Sequence, residues 1–177
     1  MAELRIASNS DIPSLEKLIK ESARGLSVGF YSPKQIESAV RFLFGVDTQL
    51  IVDRTYYLVE EGSHLVACGG WSKRKTLFGG DQFKEKADPL LNPSCDAARI
   101  RAFFVHPEWT RRGIGKMLLD TCETGARCEG FSSLELGSTL PGVPFYSAMG
   151  FSPLEESEVK LPNEVTLPIV RMTRGIL

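Results

Sequence analysis

The chain has 177 residues, 42% of them hydrophobic and 24% charged, with a formal net charge of -1 at pH 7. That length suits one folded unit with a real core, so a single domain over residues 1–177 is expected. The near-neutral balance argues against a nucleic-acid partner, which calls for a basic surplus, and no apolar run approaches the roughly 20 residues that cross a bilayer.

Leu4–Ala7 reads as a short strand leading to Asp11, which can cap a helix carrying Leu15, Leu18 and Ile19 on one face. Ser22–Tyr31, with Gly25 and Gly29, reads as a mobile loop. A second helix is predicted from Ser32-Pro33 toward Phe44, with Ile36, Val40 and Leu43 at helical spacing. Tyr56–Glu60 and Leu65–Trp71 form a predicted hairpin around Gly62. Residues 73–97, rich in Gly, Asp, Lys and Pro, read as a long excursion. Ala98–Val105 is a strand, residues 113–128 a helix, Ser133–Ser138 a strand and Pro144–Met149 a short helix. Residues 165–172 form a closing strand, which Pro168 assigns to an edge. The order βααβββαβαβ implies a mixed α/β sheet.

The start of the chain, Met1-Ala2-Glu3-Leu4-Arg5, has neither the basic nor the apolar stretch of a secretory signal, so the expected location is cytoplasmic. Cys68, Cys95, Cys122 and Cys128 make no Cys-x-x-Cys pair, and the histidines are His64 and His106. No metal site is therefore expected, and all four cysteines read as reduced, buried apolar groups.

The segment Phe103-Phe104-Val105-His106-Pro107-Glu108-Trp109-Thr110-Arg111-Arg112-Gly113-Ile114-Gly115-Lys116 carries the chemistry. A strand ends, a loop follows, and a helix opens at the glycines. The first amides of a helix lack internal partners and favour anions. Gly113 and Gly115 remove side chains where a phosphate approaches the backbone, and Arg111, Arg112 and Lys116 add positive charge. A pyrophosphate cradle and a plain tight turn with surface arginines both fit this local pattern.

With Val105-His106-Pro107 ahead of Arg112-Gly113-Ile114-Gly115, the segment resembles the acyl-CoA motif Arg/Gln-x-x-Gly-x-Gly/Ala of the GNAT superfamily of N-acetyltransferases. Phe145-Tyr146-Ser147-Ala148-Met149-Gly150-Phe151 is similar to that superfamily's Phe-Tyr-x-x-x-Gly-Phe element. Thr110 departs from the first motif position. The resemblance implies a mostly antiparallel, twisted sheet of about six to seven strands, flanked by helices and split by a CoA cleft. It also implies an acyltransferase using acetyl-CoA as co-substrate.

On that resemblance, Phe103, Phe104 and Val105 would pair with the pantetheine arm, and Arg111, Arg112, Gly113, Ile114, Gly115 and Lys116 would hold the pyrophosphate. Ser138 stands where many members have Asn. Tyr146 corresponds to the tyrosine that protonates the departing thiolate. Glu135, opposite Leu134 and Leu136 by alternation, is a candidate base, or else a partner of Arg99 or Arg101. The acceptor site would involve Arg24, Leu26, Tyr31, Trp71 and Arg101. No acidic run suggests a polyamine groove, and the strand arginines point toward a small amine of neutral or negative character, such as an amino-acid-like one. A non-catalytic CoA-binding module and a protein N-acetyltransferase are the alternatives, and a homodimer is among the assemblies the resemblance implies.

Overall fold

Seven strands form one sheet in the order β1-β2-β3-β4-β5-β7-β6. The computed structural model describes all 177 residues. The strands are β1 (Ala2–Ile6), β2 (Tyr56–Glu61), β3 (His64–Ser72), β4 (Ala98–Val105), β5 (Ser133–Thr139), β6 (Ser152–Lys160) and β7 (Thr166–Gly175). Every neighbouring pair is antiparallel except β4 and β5. The helices are α1 (Ile12–Leu26), α2 (Pro33–Phe42), α3 (Thr48–Val52), α4 (Ile114–Cys128) and α5 (Val143–Ala148).

The alternation of β3 sends Cys68 to one face and Ala67 to the other. On the first face Leu15, Leu18 and Ile19 of α1 and Leu50 of α3 bury against Tyr56, Leu58 and Cys68. On the second, α4 lays Ile114 and Leu118 on Val59, Val66 and Ala67. Further along α4, Leu119, Cys122 and Ala126 meet Trp71, Ala98, Ile100, Leu134 and Leu136. A third cluster joins α2 to β6 and β7 through Ile36, Ala39, Val40, Val159, Leu161 and Leu167. Burial on both faces of a sheet supplies most of the stabilisation such a fold has, at about 25 cal/mol per Å².

Helix starts follow local chemistry. At α2, Ser32 Oγ accepts from Gln35 N–H at 3.1 Å and Gln35 Oε1 accepts from Ser32 N–H at 2.9 Å, with Pro33 in the first helical position. Asp11 works in the opposite sense to the expected cap: its carboxylate reaches back to accept from Ser8 N–H at 2.8 Å.

Several expectations need correction. Residues 22–26 are helical, not loop; a Cβ on Gly25 would lie 2.4 Å from the Pro107 ring, so this glycine admits a close neighbour to α1. Strand β6 and the one-turn helix α3 are additional elements. The burial of β6 runs almost wholly exposed, leaving no apolar alternation to read. Strand β7 is not an edge but lies between β5 and β6. The β5 ladder ends with Thr139 opposite Ile169, so Pro168 sits one residue past it and its missing N–H costs that ladder nothing. All four cysteines are free, but only Cys68 and Cys122 are buried; Cys95 and Cys128 are exposed.

The excursion between β3 and β4 is a pinned strap. Arg74 forks onto Asp53, with Nε–Oδ2 2.8 Å and Nη2–Oδ1 3.0 Å. Lys75 N–H donates to Pro89 O and Leu91 N–H to Lys73 O, closing the strap on itself. Beneath it, Asp47 is 1% exposed and Arg101 3% exposed. Arg101 donates to Thr76 O at 3.2 Å and Gly79 O at 2.6 Å, and its Nη2 lies 2.9 Å from Asp47 Oδ2. Lys84, on the strap itself, pairs with the other Asp47 oxygen. Asp47 also caps α3, accepting from Gln49 N–H at 3.0 Å.

Because breaking a buried pair leaves an uncompensated charge, Asp47→Asn, which keeps the cap and removes the charge, should lower unfolding stability by about 3–5 kcal/mol in urea titrations. A loss within a few tenths of a kcal/mol would mean that the Asp47 charge is not needed to hold Arg101.

Candidate active site

Strands β4 and β5 share two rungs, Ala98 opposite Leu134 and Arg99 opposite Glu135, and then part. A bulge marks the point of parting. Strand β4 carries a bulge: Cys68 faces Phe104 and Gly70 faces Arg101, so two β4 residues oppose Gly69 alone, and Ala102 takes φ +55°. Strand β5 stays paired with β7 on its other edge throughout, from Ser133 opposite Gly175 to Thr139 opposite Ile169, and so does not follow β4. The parting leaves a cavity of about 850 Å³. Phe103 packs toward the α4 face and Phe104 toward the α1 face, so the cavity passes through the sheet from one face to the other.

At its α4 end lies the glycine turn. Arg111 has φ +65° and Gly113 φ +79°. Left-handed residues in close succession turn neighbouring amides outward into an anion-binding concavity. The first α4 helical bond is from Met117 N–H to Gly113 O, so the amides of Ile114, Gly115 and Lys116 have no partner within the helix. A Cβ on Gly113 would meet nothing within 4 Å; this glycine serves the positive φ. Gly115 differs from the expectation, since a Cβ there would lie 3.0 Å from the Phe145 ring, which its missing side chain admits. Arg111 and Lys116 line the cavity. Arg112 does not: it stacks over Trp109 with 4.4 Å to the ring centroid and donates to Glu108 O.

Phe103, Phe104, Val105, Ser138 and Tyr146 also line the cavity. The Tyr146 ring sits between Phe145, Phe151 and Phe103, at centroid distances of 5.0, 5.6 and 6.3 Å. Burial pushes its hydroxyl pKa well above the ordinary tyrosine value. Ser138 donates to Thr139 O at 2.8 Å.

Of the acceptor-side candidates, Leu26 and Arg101 reach the cavity. Arg24 is held at the surface by Glu37, at 2.9 and 3.0 Å. Tyr31 is buried, donating to Pro168 O at 2.5 Å and accepting from Leu140 N–H at 2.9 Å. Trp71 is core beneath α4. Arg101 reaches the wall with its guanidinium already engaged by Asp47 and the strap carbonyls. Glu135 is 7% exposed and is not among the cavity's lining residues, which on β5 begin at Leu136; Arg99 donates to it at 2.8 Å, and Arg171 of β7 closes on its other oxygen. Apolar wall residues that the sequence reading did not assign to the site include Phe30, Leu43, Phe44, Leu77 and Phe78. One signal was there: Leu77-Phe78 is an apolar pair in a strap rich in Gly, Asp, Lys and Pro.

An acetyltransferase (GNAT) domain model matches residues 52–153, more than half of the chain. No curated protein sequence matches significantly. Among solved structures, a GCN5-related N-acetyltransferase from Rhodopseudomonas palustris superposes with TM-score 0.73 at 18% identity, covering 99% of this chain and 96% of the other. The PaiA N-acetyltransferase of Thermoplasma acidophilum, solved with coenzyme A, gives 0.66 at 18% identity, covering 99% of both chains. The ribosomal-protein-S18-alanine N-acetyltransferase of Escherichia coli gives 0.59 at 15% identity, covering 99% and 94%. At these identities the likeness is one of fold.

With both carboxylate oxygens of Glu135 engaged, Glu135→Gln should leave the pH profile of turnover unchanged while lowering stability by about 1–2 kcal/mol. Loss of the acidic limb of the kcat profile, without loss of stability, would restore Glu135 as the base.

Proposed function

The chain belongs to the GNAT family of acetyltransferases, and from that premise we propose that it moves the acetyl group of acetyl-CoA to the primary amine of a small molecule. The observation that carries this reading is that one cavity joins the outward amides of the glycine turn to the hydroxyl-bearing ring of Tyr146. The residues fit the co-substrate. Three unpartnered amides with Arg111 and Lys116 suit a pyrophosphate, and the unpaired inner edge of β4 suits an amide-bearing arm that can complete a strand ladder.

The amine nitrogen attacks the thioester carbonyl carbon directly. A C–N bond forms, the carbonyl oxygen becomes an oxyanion, and a β4 amide near Phe104 or Val105 donates to it. The C–S bond then breaks, and Tyr146 gives its proton to the departing thiolate. The proton shed by nitrogen restores Tyr146 through water. The raised pKa has the right sign for this role: burial disfavours phenolate, so the proton is still present as the pH rises through the ordinary tyrosine value of 10.0. Neighbours of this fold named for an alanine terminus of a protein and for N-acetylglutamate span very different acceptors, so the fold leaves the acceptor open.

Tyr146→Phe should lower kcat by about 10²–10⁴-fold while leaving the acetyl-CoA Kd, read by calorimetry, unchanged. In the parent protein no loss of kcat from Tyr146 ionisation should appear below pH 10. Equal turnover by Tyr146→Phe would remove Tyr146 from the mechanism, and failure to bind acetyl-CoA would remove the proposed activity altogether.

A further inference from the structure

We infer that the acceptor is a compact amine on an uncharged, apolar body, an arylalkyl or branched alkyl amine, an assignment that rests on the acetyl-transfer reading above. On the α1 face the cavity is walled by Leu26, Phe30, Leu43, Phe44, Leu77 and Phe78. The wall is preformed. Phe44 meets Phe104 edge-on at 5.8 Å, and Phe78 leans on Phe83 at 5.9 Å. Phe78 also stands over Gly137, where a Cβ would come within 2.8 Å of its ring, so β5 is glycine at the point where the strap crosses it.

Charge decides what such a chamber accepts. No Asp, Glu or His lines any part of the cavity, and its charged lining consists of Arg101, Arg111 and Lys116. Arg111 and Lys116 belong to the glycine turn. Arg101 has its charge matched by Asp47, and its two terminal nitrogens already donate to Thr76 O and Gly79 O. A polyamine would have to bury a second ammonium with no carboxylate to receive it. An acidic amine would find only an arginine whose partners are already in place. An apolar body has neither difficulty.

The same wall addresses the proton that no lining carboxylate or histidine can take. Burial in apolar surroundings disfavours an ammonium ion relative to its free amine. The chamber therefore selects the neutral amine, the form able to attack. The proton is left in bulk water as the amine enters.

Size is set by the strap and by a closed seam. Tyr31 bonds to Pro168 O, Gln35 Nε2 donates to Thr166 O at 3.0 Å, and Ser38 Oγ donates to Asn163 Oδ1 at 2.6 Å. These bonds, with the apolar cluster beneath them, fasten α2 to the β6–β7 hairpin and leave no track for a polypeptide between them.

The test is thiol release from acetyl-CoA with 2-phenylethylamine, 3-methylbutylamine, spermidine, L-glutamate and a short peptide with a free α-amino group. The expected result is a kcat/KM for the two apolar amines at least about 30-fold above the other three. Leu26→Glu, at a half-buried wall position, should raise kcat/KM for spermidine about tenfold and lower that for 2-phenylethylamine, with acetyl-CoA Kd unchanged. Preference for spermidine, glutamate or the peptide overturns the inference while leaving acetyl transfer standing. Acetyl-CoA binding with no release from either apolar amine overturns it too. Absence of acetyl-CoA binding overturns the acetyl-transfer reading, and the inference falls with it.

Discussion

Two parallel rungs, Ala98 with Leu134 and Arg99 with Glu135, are the whole of the strand pairing between β4 and β5. Past them the strands separate, as the bulge at Ala102 bends β4 away while β5 stays straight on β7 at its other edge. The vertex is where separation would propagate if nothing resisted it. Glu135 sits there between Arg99 of β4 and Arg171 of β7, tying three strands across the joint with charge-assisted bonds. The cavity, the glycine turn at one end and the apolar chamber at the other all follow from that controlled opening.

The opening also explains how backbone rather than side-chain chemistry comes to dominate the site. A splayed strand presents edge groups that no neighbour takes, and a helix entered through left-handed residues presents free amides. Both are preorganised and need no ionisable residue. The side chain at the proposed reacting centre, Tyr146, is kept protonated by burial among aromatic rings. Arg111 and Lys116 add charge where it is useful and cheap, at the solvent-facing end.

Buried charge is used in a different way. Arg101, Asp47 and Lys84 form a compact group whose charges satisfy one another and whose remaining bonds go to strap carbonyls and the α3 cap. Its effect is to fasten residues 76–84 against the sheet and bring Leu77 and Phe78 to the cavity wall. An arginine that looks like an acceptor ligand in sequence becomes, in the fold, the fixing point for an apolar surface.

The sequence by itself was enough for the family, most of the element order along the chain and the glycine turn. Those rest on local signals: strand-like runs at β2 to β5, the 3–4 spacing of α4, and two short motifs. It was not enough for β6, whose exposed face carries no alternation, nor for the place of β7, since Pro168 reads as an edge until β5 is seen to end beside it. The fates of Arg24, Tyr31, Trp71, Arg101 and Glu135 were likewise decided only in three dimensions. Each can serve a ligand or a neighbour, and the choice depends on partners 13 to 137 residues away in the chain, such as Glu37 for Arg24 and Pro168 for Tyr31. A polar side chain declares its type in the sequence, but what it binds is settled by whichever distant group the packed fold brings within reach.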